Sequence, residues 1–143
     1  MSELVRSSEG KQFLLGGDVF TIKRSARKDG DRSMTHLVVA PGSEAPCHAH
    51  DRYEETFYIL DGELEFTIHQ EKLVARAGDY IAVPPGVRHG YVNRTKAPVT
   101  MLFEFSPGGM EELFYEFRDE GPPVDWAAYA EKAARVHGTV YEA

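Results

Sequence analysis

The chain has 143 residues, 42% of them hydrophobic and 27% charged, a length and balance that suit one globular domain and exclude a disordered or fibrous chain. A formal charge of -7 disfavours nucleic acid as a partner, because phosphate binding needs clustered Lys and Arg. The single cysteine, Cys47, admits no intramolecular disulfide, and the sequence shows neither a signal-like start nor an apolar run of membrane length, so a soluble cytoplasmic protein with no membrane partner is expected.

From Val19 to Ser106 the sequence falls into short alternating apolar runs closed by Gly, Pro, Asp or Asn, the pattern of an antiparallel barrel or sandwich. It predicts about nine strands: Val19 to Arg24, Met34 to Ala40, Ala45 to His50, Glu55 to Asp61, Glu63 to His69, Lys72 to Ala75, Tyr80 to Val83, His89 to Asn93 and Val99 to Ser106. Asp61-Gly62 between two apolar runs predicts a tight hairpin, since both residue types tolerate positive φ. Pro84-Pro85-Gly86 predicts a chain reversal just before His89.

After Pro107-Gly108-Gly109 the period changes. Met110, Leu113, Phe114 and Phe117 fall at i, i+3, i+4 and i+7, one face of a short helix. A second helix follows Pro122-Pro123, with Asp125 as N-cap, an apolar stripe of Trp126, Tyr129, Ala130 and Ala133, and Gly138 as C-terminal cap. Both helices are expected on the outside of the barrel. The sequence contains no internal repeat or linker, so residues 1–143 read as a single domain with a barrel core over about 19–106 and a helical segment over about 109–138.

His48 and His50 are one residue apart, which on a strand puts both imidazoles on one face, about 7 Å apart along the backbone. Glu55 opens the next strand after a short polar connection, and His89 is expected from a different hairpin. Three imidazoles and a carboxylate suit Mn, Fe, Co, Ni, Cu or Zn and exclude an all-oxygen Ca or Mg site. Taken alone, any one of these histidines reads more readily as a surface or hydrogen-bonded core residue.

The longer pattern around them resolves that. The run from Gly42 to Gly62 resembles the first cupin motif: Gly, five residues, His-x-His at His48 and His50, then Glu55, six residues, Gly62. The run from Gly78 to Asn93 resembles the second: Gly, five residues, Pro-x-Gly, two residues, His89, three residues, Asn93. The two motifs cover about a quarter to a third of the chain and agree with the strand pattern of the rest. The resemblance implies an all-β cupin fold, a double-stranded β-helix or jelly-roll barrel with short C-terminal helices. It also implies one divalent transition-metal ion held by His48, His50, Glu55 and His89. Glu54 competes with Glu55 for the ligand position, but the spacing to Gly62 selects Glu55, and alternation turns Glu54 away.

The other candidates read as structural. Cys47 faces away from its neighbour His48, His69 sits at a turn, His137 lies at the end of a helix, and His36 belongs to a strand wall. His69 and His137 are therefore expected at the surface, and Asn93 as a turn or supporting hydrogen-bonding group.

Four protein ligands leave room on an ion that prefers five or six, which is the condition for catalysis. Alternation puts Phe57 on the Glu55 face, Tyr91 on the His89 face and Met101 and Phe103 on the inner face of the last strand, an apolar pocket for a small-molecule substrate. The stretch from Phe103 to Glu116 resembles the segment that follows the barrel in small bacterial cupins similar to quercetin dioxygenases. The resulting expectation is a metal-dependent dioxygenase acting on a small aromatic or enolic compound, with Glu55 as both ligand and catalytic base. The alternatives are a non-oxidative isomerase or lyase that uses the ion as a Lewis acid, and a binding module without turnover. A homodimer is expected, because a short barrel leaves a sheet edge to cover.

Overall fold

The structure is a computed structural model and describes residues 3–142. Eleven strands and two helices follow one another as β1 (Lys11–Leu15), β2 (Asp18–Arg24), β3 (Ser33–Val39), β4 (Glu44–His50), β5 (Glu54–Asp61), β6 (Glu63–Ile68), β7 (Glu71–Arg76), β8 (Tyr80–Val83), β9 (His89–Val92), β10 (Val99–Ser106), α1 (Glu111–Glu116), α2 (Trp126–His137) and β11 (Thr139–Tyr141). All strand pairs are antiparallel and form two sheets, one ordered β1-β2-β3-β10-β5-β8 and the other β11-β4-β9-β6-β7. The antiparallel all-β architecture expected from the strand pattern is thus present, in the jelly-roll form that the motif resemblance implies, with its inner faces packed against each other.

Strand alternation decides what enters the core. In β5, Glu55, Phe57 and Ile59 are buried while Tyr58 and Leu60 face outward, and in β10, Met101, Phe103 and Phe105 are buried between half-buried neighbours. Leu37 and Val39 of β3 and Leu64 and Phe66 of β6 complete the same layer from both sheets. The aromatic rings there meet edge to face, as Phe57 does with Phe66 at 5.0 Å between centroids.

Two strands lie outside the predicted set. In β1, Phe13 and Leu15 alternate inward beside β2. In β11, three residues following the helix cap pair with β4.

The Asp61-Gly62 expectation is corrected. β5 and β6 do not pair with each other: β5 lies between β10 and β8, and β6 between β9 and β7. Only Gly62 takes positive φ, at 92°, and the turn carries the chain from one sheet to the other. The reason is that a local turn signal marks a reversal of direction, while barrel closure decides which strands become neighbours. The Pro84 turn likewise passes between sheets, with Val87 N–H donating to Pro84 O at 3.3 Å.

Both helices form as expected, with Asp125 accepting from Ala128 N–H and Gly138 in the left-handed conformation. Their position differs from a purely external one. Phe114 of α1 and Tyr129 and Ala130 of α2 line the interior cavity, so the helical segment closes one side of the barrel mouth. The apolar stripe is used, but it faces the cavity because the sandwich leaves that end uncovered. Among the described residues, no helix is long and apolar enough to cross a membrane.

Candidate metal centre

His48, His50 and His89 come from one sheet and Glu55 from the facing one. β4 and β9 place His48 directly opposite His89, and the short β4 to β5 connection carries the chain across to the other sheet, where Glu55 pairs with Val83 and Phe105. All four side chains are buried, and one ligand atom from each lies within 4.8 Å of all the others. Glu54 is exposed, so Glu55 alone of the pair enters this cluster.

β4 and β9 shift register between Ala45 and His48, and Gly90 sits at that irregularity. A Cβ on Gly90 would stand 2.7 Å from Ala45 O and 3.0 Å from Cys47 N. Only glycine allows β4 to approach closely enough to set His48 beside His89.

Hydrogen bonds fix which nitrogen of each ring faces the centre. His48 Nδ1 is 2.7 Å from Pro46 O and His89 Nδ1 is 2.9 Å from Val87 O; a carbonyl only accepts, so both Nδ1 atoms carry the proton. His50 Nδ1 is 2.7 Å from Thr139 Oγ1, whose hydroxyl donates to Met110 Sδ, so His50 Nδ1 also donates. In the neutral rings the three Nε2 lone pairs therefore converge on the cluster. Two of them stand 3.1 and 3.0 Å from a single carboxylate oxygen, Glu55 Oε1. Acceptors packed this closely need positive charge among them, either protons or a metal ion.

The electrostatics agree. Burial pushes the Glu55 carboxyl up, but the contacts from His50 and His89 outweigh it and hold the group at about 2. Burial, reinforced by His89, lowers His48 to about 3, so that ring is a neutral donor. Burial works to lower His89 as well, but the Glu55 carboxylate outweighs it and raises its pKa. An anionic oxygen and imidazole nitrogens with outward-turned N–H groups are the donor set of a transition-metal site, and the residues fit one divalent ion of that kind.

β11 supplies two supports that the sequence pattern did not reveal. Thr139 lies opposite His50 in register, and Tyr141 opposite His48, where the two rings stack at 4.6 Å between centroids with 26° between planes. A three-residue strand right after a helix cap has too little alternation to be recognised. His137 is a further correction: it is buried, and its Nδ1 is 2.9 Å from the Tyr53 hydroxyl, because α2 packs its last turn against the β4 to β5 connection. Asn93 is fully buried and braces its loop through Val39 O, Ala40 O and Ala97 O, while His69 is exposed as expected. Cys47 is half-buried and stays outside the cluster, and His36 is half-buried between the inward-facing Thr35 and Leu37.

Beside the cluster opens a cavity of about 550 Å³. Phe57, Tyr91, Met101 and Phe103 all line it, together with Trp126 and Tyr129 from α2. The wall is mostly aromatic and aliphatic, and it reaches His48, His50 and Glu55 at its inner end.

Two facing antiparallel sheets with a three-histidine, one-carboxylate cluster between them define a jelly-roll barrel built around a potential metal site. The cupin-domain family model matches residues 35–105, the span from β3 to β10 that carries both motifs, and the chain belongs to the cupin superfamily. It is 32% identical over 132 residues to quercetin 2,3-dioxygenase of Bacillus subtilis, a match covering 90% of this chain and 37% of that protein, so the chain spans little more than a third of that relative's length. The fold is similar to that of KdgF from Halomonas sp., with a TM-score of 0.69 at 19% identity over 78% of this chain and 99% of the other. It is also similar to that of a Thermotoga maritima protein described as a predicted oxalate decarboxylase, with a TM-score of 0.68 at 24% identity over 73% of this chain and 99% of the other. At these identities the two solved structures bear on the fold alone.

Proposed function

We propose that the protein is a metal-dependent dioxygenase acting on a small aromatic or enolic compound, with one divalent transition-metal ion held by His48, His50, Glu55 and His89. The observation that carries this reading is the opening of an aromatic-walled cavity directly onto that cluster. Similarity to a quercetin 2,3-dioxygenase over nearly the whole chain supports it. When bound, the ion supplies Lewis acidity and reactivity toward dioxygen.

The chain's own groups do the rest. Pro46 O, Val87 O and Thr139 hold the three rings by their Nδ1 atoms, so that no imidazole can rotate its lone pair away. Phe57, Met101 and Phe103 exclude water from the inner end of the cavity and offer faces to a flat ring. Glu55 is the base: its carboxylate borders the cavity and takes the proton of an enol or phenol hydroxyl brought within hydrogen-bond reach.

The test is oxygen uptake by protein loaded with Mn, Fe, Co or Ni and offered flavonols and catechols, compared with Glu55→Gln. Loss of the base lowers the rate by about 10²- to 10⁴-fold while three histidines retain the ion. Turnover that proceeds equally well without air would replace this reading with a non-oxidative isomerase or lyase, and ligand binding without any product would replace it with a binding module.

A second part of the proposal concerns assembly: the protein is a homodimer joined through its N-terminal strands. β1 is the edge strand of the six-stranded sheet and the Leu14 side chain is exposed on it, although Leu14 O already accepts from Asp119 N–H at 2.6 Å.

A further inference from the structure

The chemistry of the cavity wall narrows the ligand beyond the class proposed above, on which this inference rests. Among the described residues, no Lys or Arg lines the cavity, while four carboxylates do: Asp18, Glu44, Glu55 and Glu142. Asp18 is buried and already accepts from Ala40 N–H and the Ser43 hydroxyl at 2.9 Å each, and Glu142 is paired with Arg88, which is not itself part of the lining. A phosphate or carboxylate on the ligand, other than a group bound at the metal cluster, would thus enter without a cation to pair with, beside fixed negative charge.

The hydroxyl groups of the wall are not equivalent. Tyr129 and Tyr141 hydrogen-bond to each other at 2.9 Å between oxygens. Tyr91 lies on the inner face of β9, two residues beyond His89, and its hydroxyl has no hydrogen-bond partner among the described residues. It is held by ring contacts alone, 5.8 Å from Phe66 and 6.4 Å from Phe57 between centroids. A phenol that borders a largely apolar cavity without a partner is a donor kept for the ligand.

We propose that the cavity selects an uncharged planar ring compound, that the Tyr91 hydroxyl donates to an acceptor oxygen on that ring, and that phosphorylated or carboxylated analogues are rejected. Tyr91 is therefore a specificity-determining residue rather than barrel filling.

Three catechols that differ only in one ring substituent test this: homocatechol with a methyl group, protocatechualdehyde with a neutral carbonyl, and protocatechuate with a carboxylate. Their binding to the metal-loaded protein is measured by titration calorimetry and by the fluorescence of Trp126, which lines the cavity and is the one tryptophan of the chain. The aldehyde binds more tightly than homocatechol, and protocatechuate binds roughly tenfold or more weakly than the aldehyde although it too offers an acceptor oxygen. Tyr91→Phe weakens the aldehyde by about three- to tenfold and leaves homocatechol unchanged, which also shows that the variant is folded. Equal affinity for protocatechuate and the aldehyde overturns the charge selection, and an equal loss for both neutral ligands in Tyr91→Phe overturns the donor role. Binding of none of the three overturns this inference together with the aromatic-ligand reading. If the expected affinities are found but no metal form consumes oxygen, the dioxygenase reading fails and the inference stands.

Discussion

Thr139 Oγ1 lies 2.7 Å from His50 Nδ1, so the last element of secondary structure, a strand of three residues, orients a histidine 89 positions earlier. Replacement by Val keeps the shape and removes the acceptor. Thr139→Val is expected to weaken metal binding by about 10- to 100-fold, the usual effect of losing such a support, while His48→Ala with His50→Ala abolishes it. Competition with a chelator, followed by metal analysis, measures both. Unchanged affinity in Thr139→Val would show that the packing around His50 orients it without the hydroxyl.

The loop before β3 carries a pH-dependent contribution. The Arg27 backbone N–H and the Arg24 side chain hydrogen-bond to Asp31 and lower its carboxyl from the usual 3.8 to about 2. Because the folded-state pKa is depressed, the stabilisation is complete above the unfolded value and is lost as pH falls through 3.8 toward 2. Thermal melts between neutral pH and the acid range should show a steeper fall for the wild type than for Asp31→Asn, with the two curves converging at the acid end. Parallel curves would show that Asp31 contributes nothing to the acid limb.

Gly90 is expected to tolerate no side chain. Gly90→Ala puts a methyl group against the Ala45 carbonyl and the Cys47 backbone, a clash with main chain on a buried strand that costs about 1 to 3 kcal/mol. Because relief requires β4 and β9 to separate, metal affinity falls with stability. Denaturant melts and chelator competition on the same variant check the two effects together, and a stability loss with metal affinity intact would show that the His48 to His89 spacing does not depend on this contact.

Light scattering at micromolar concentration is expected to give the mass of two chains. Leu14→Glu, on the exposed side of the edge strand, should give the mass of one without altering the melt. A wild-type monomer removes the proposed assembly.

The sequence by itself determined the local facts that depend on neighbouring residues. Alternation placed Phe57, Met101 and Phe103 inward, Asp125 and Gly138 marked the ends of α2, and the spacing around His48, His50, Glu55 and His89 carried the cupin resemblance. These were legible because side-chain direction in a strand and capping in a helix are set within a few residues. The tertiary structure alone decided that Asp61-Gly62 is a passage between sheets, that α1 and α2 wall the cavity, that His137 is buried against Tyr53, and that Thr139 and Tyr141 support the histidines. Each of those depends on which segments closure of the barrel brings together across long stretches of chain, and a turn or a short strand carries no local signal of its eventual neighbour.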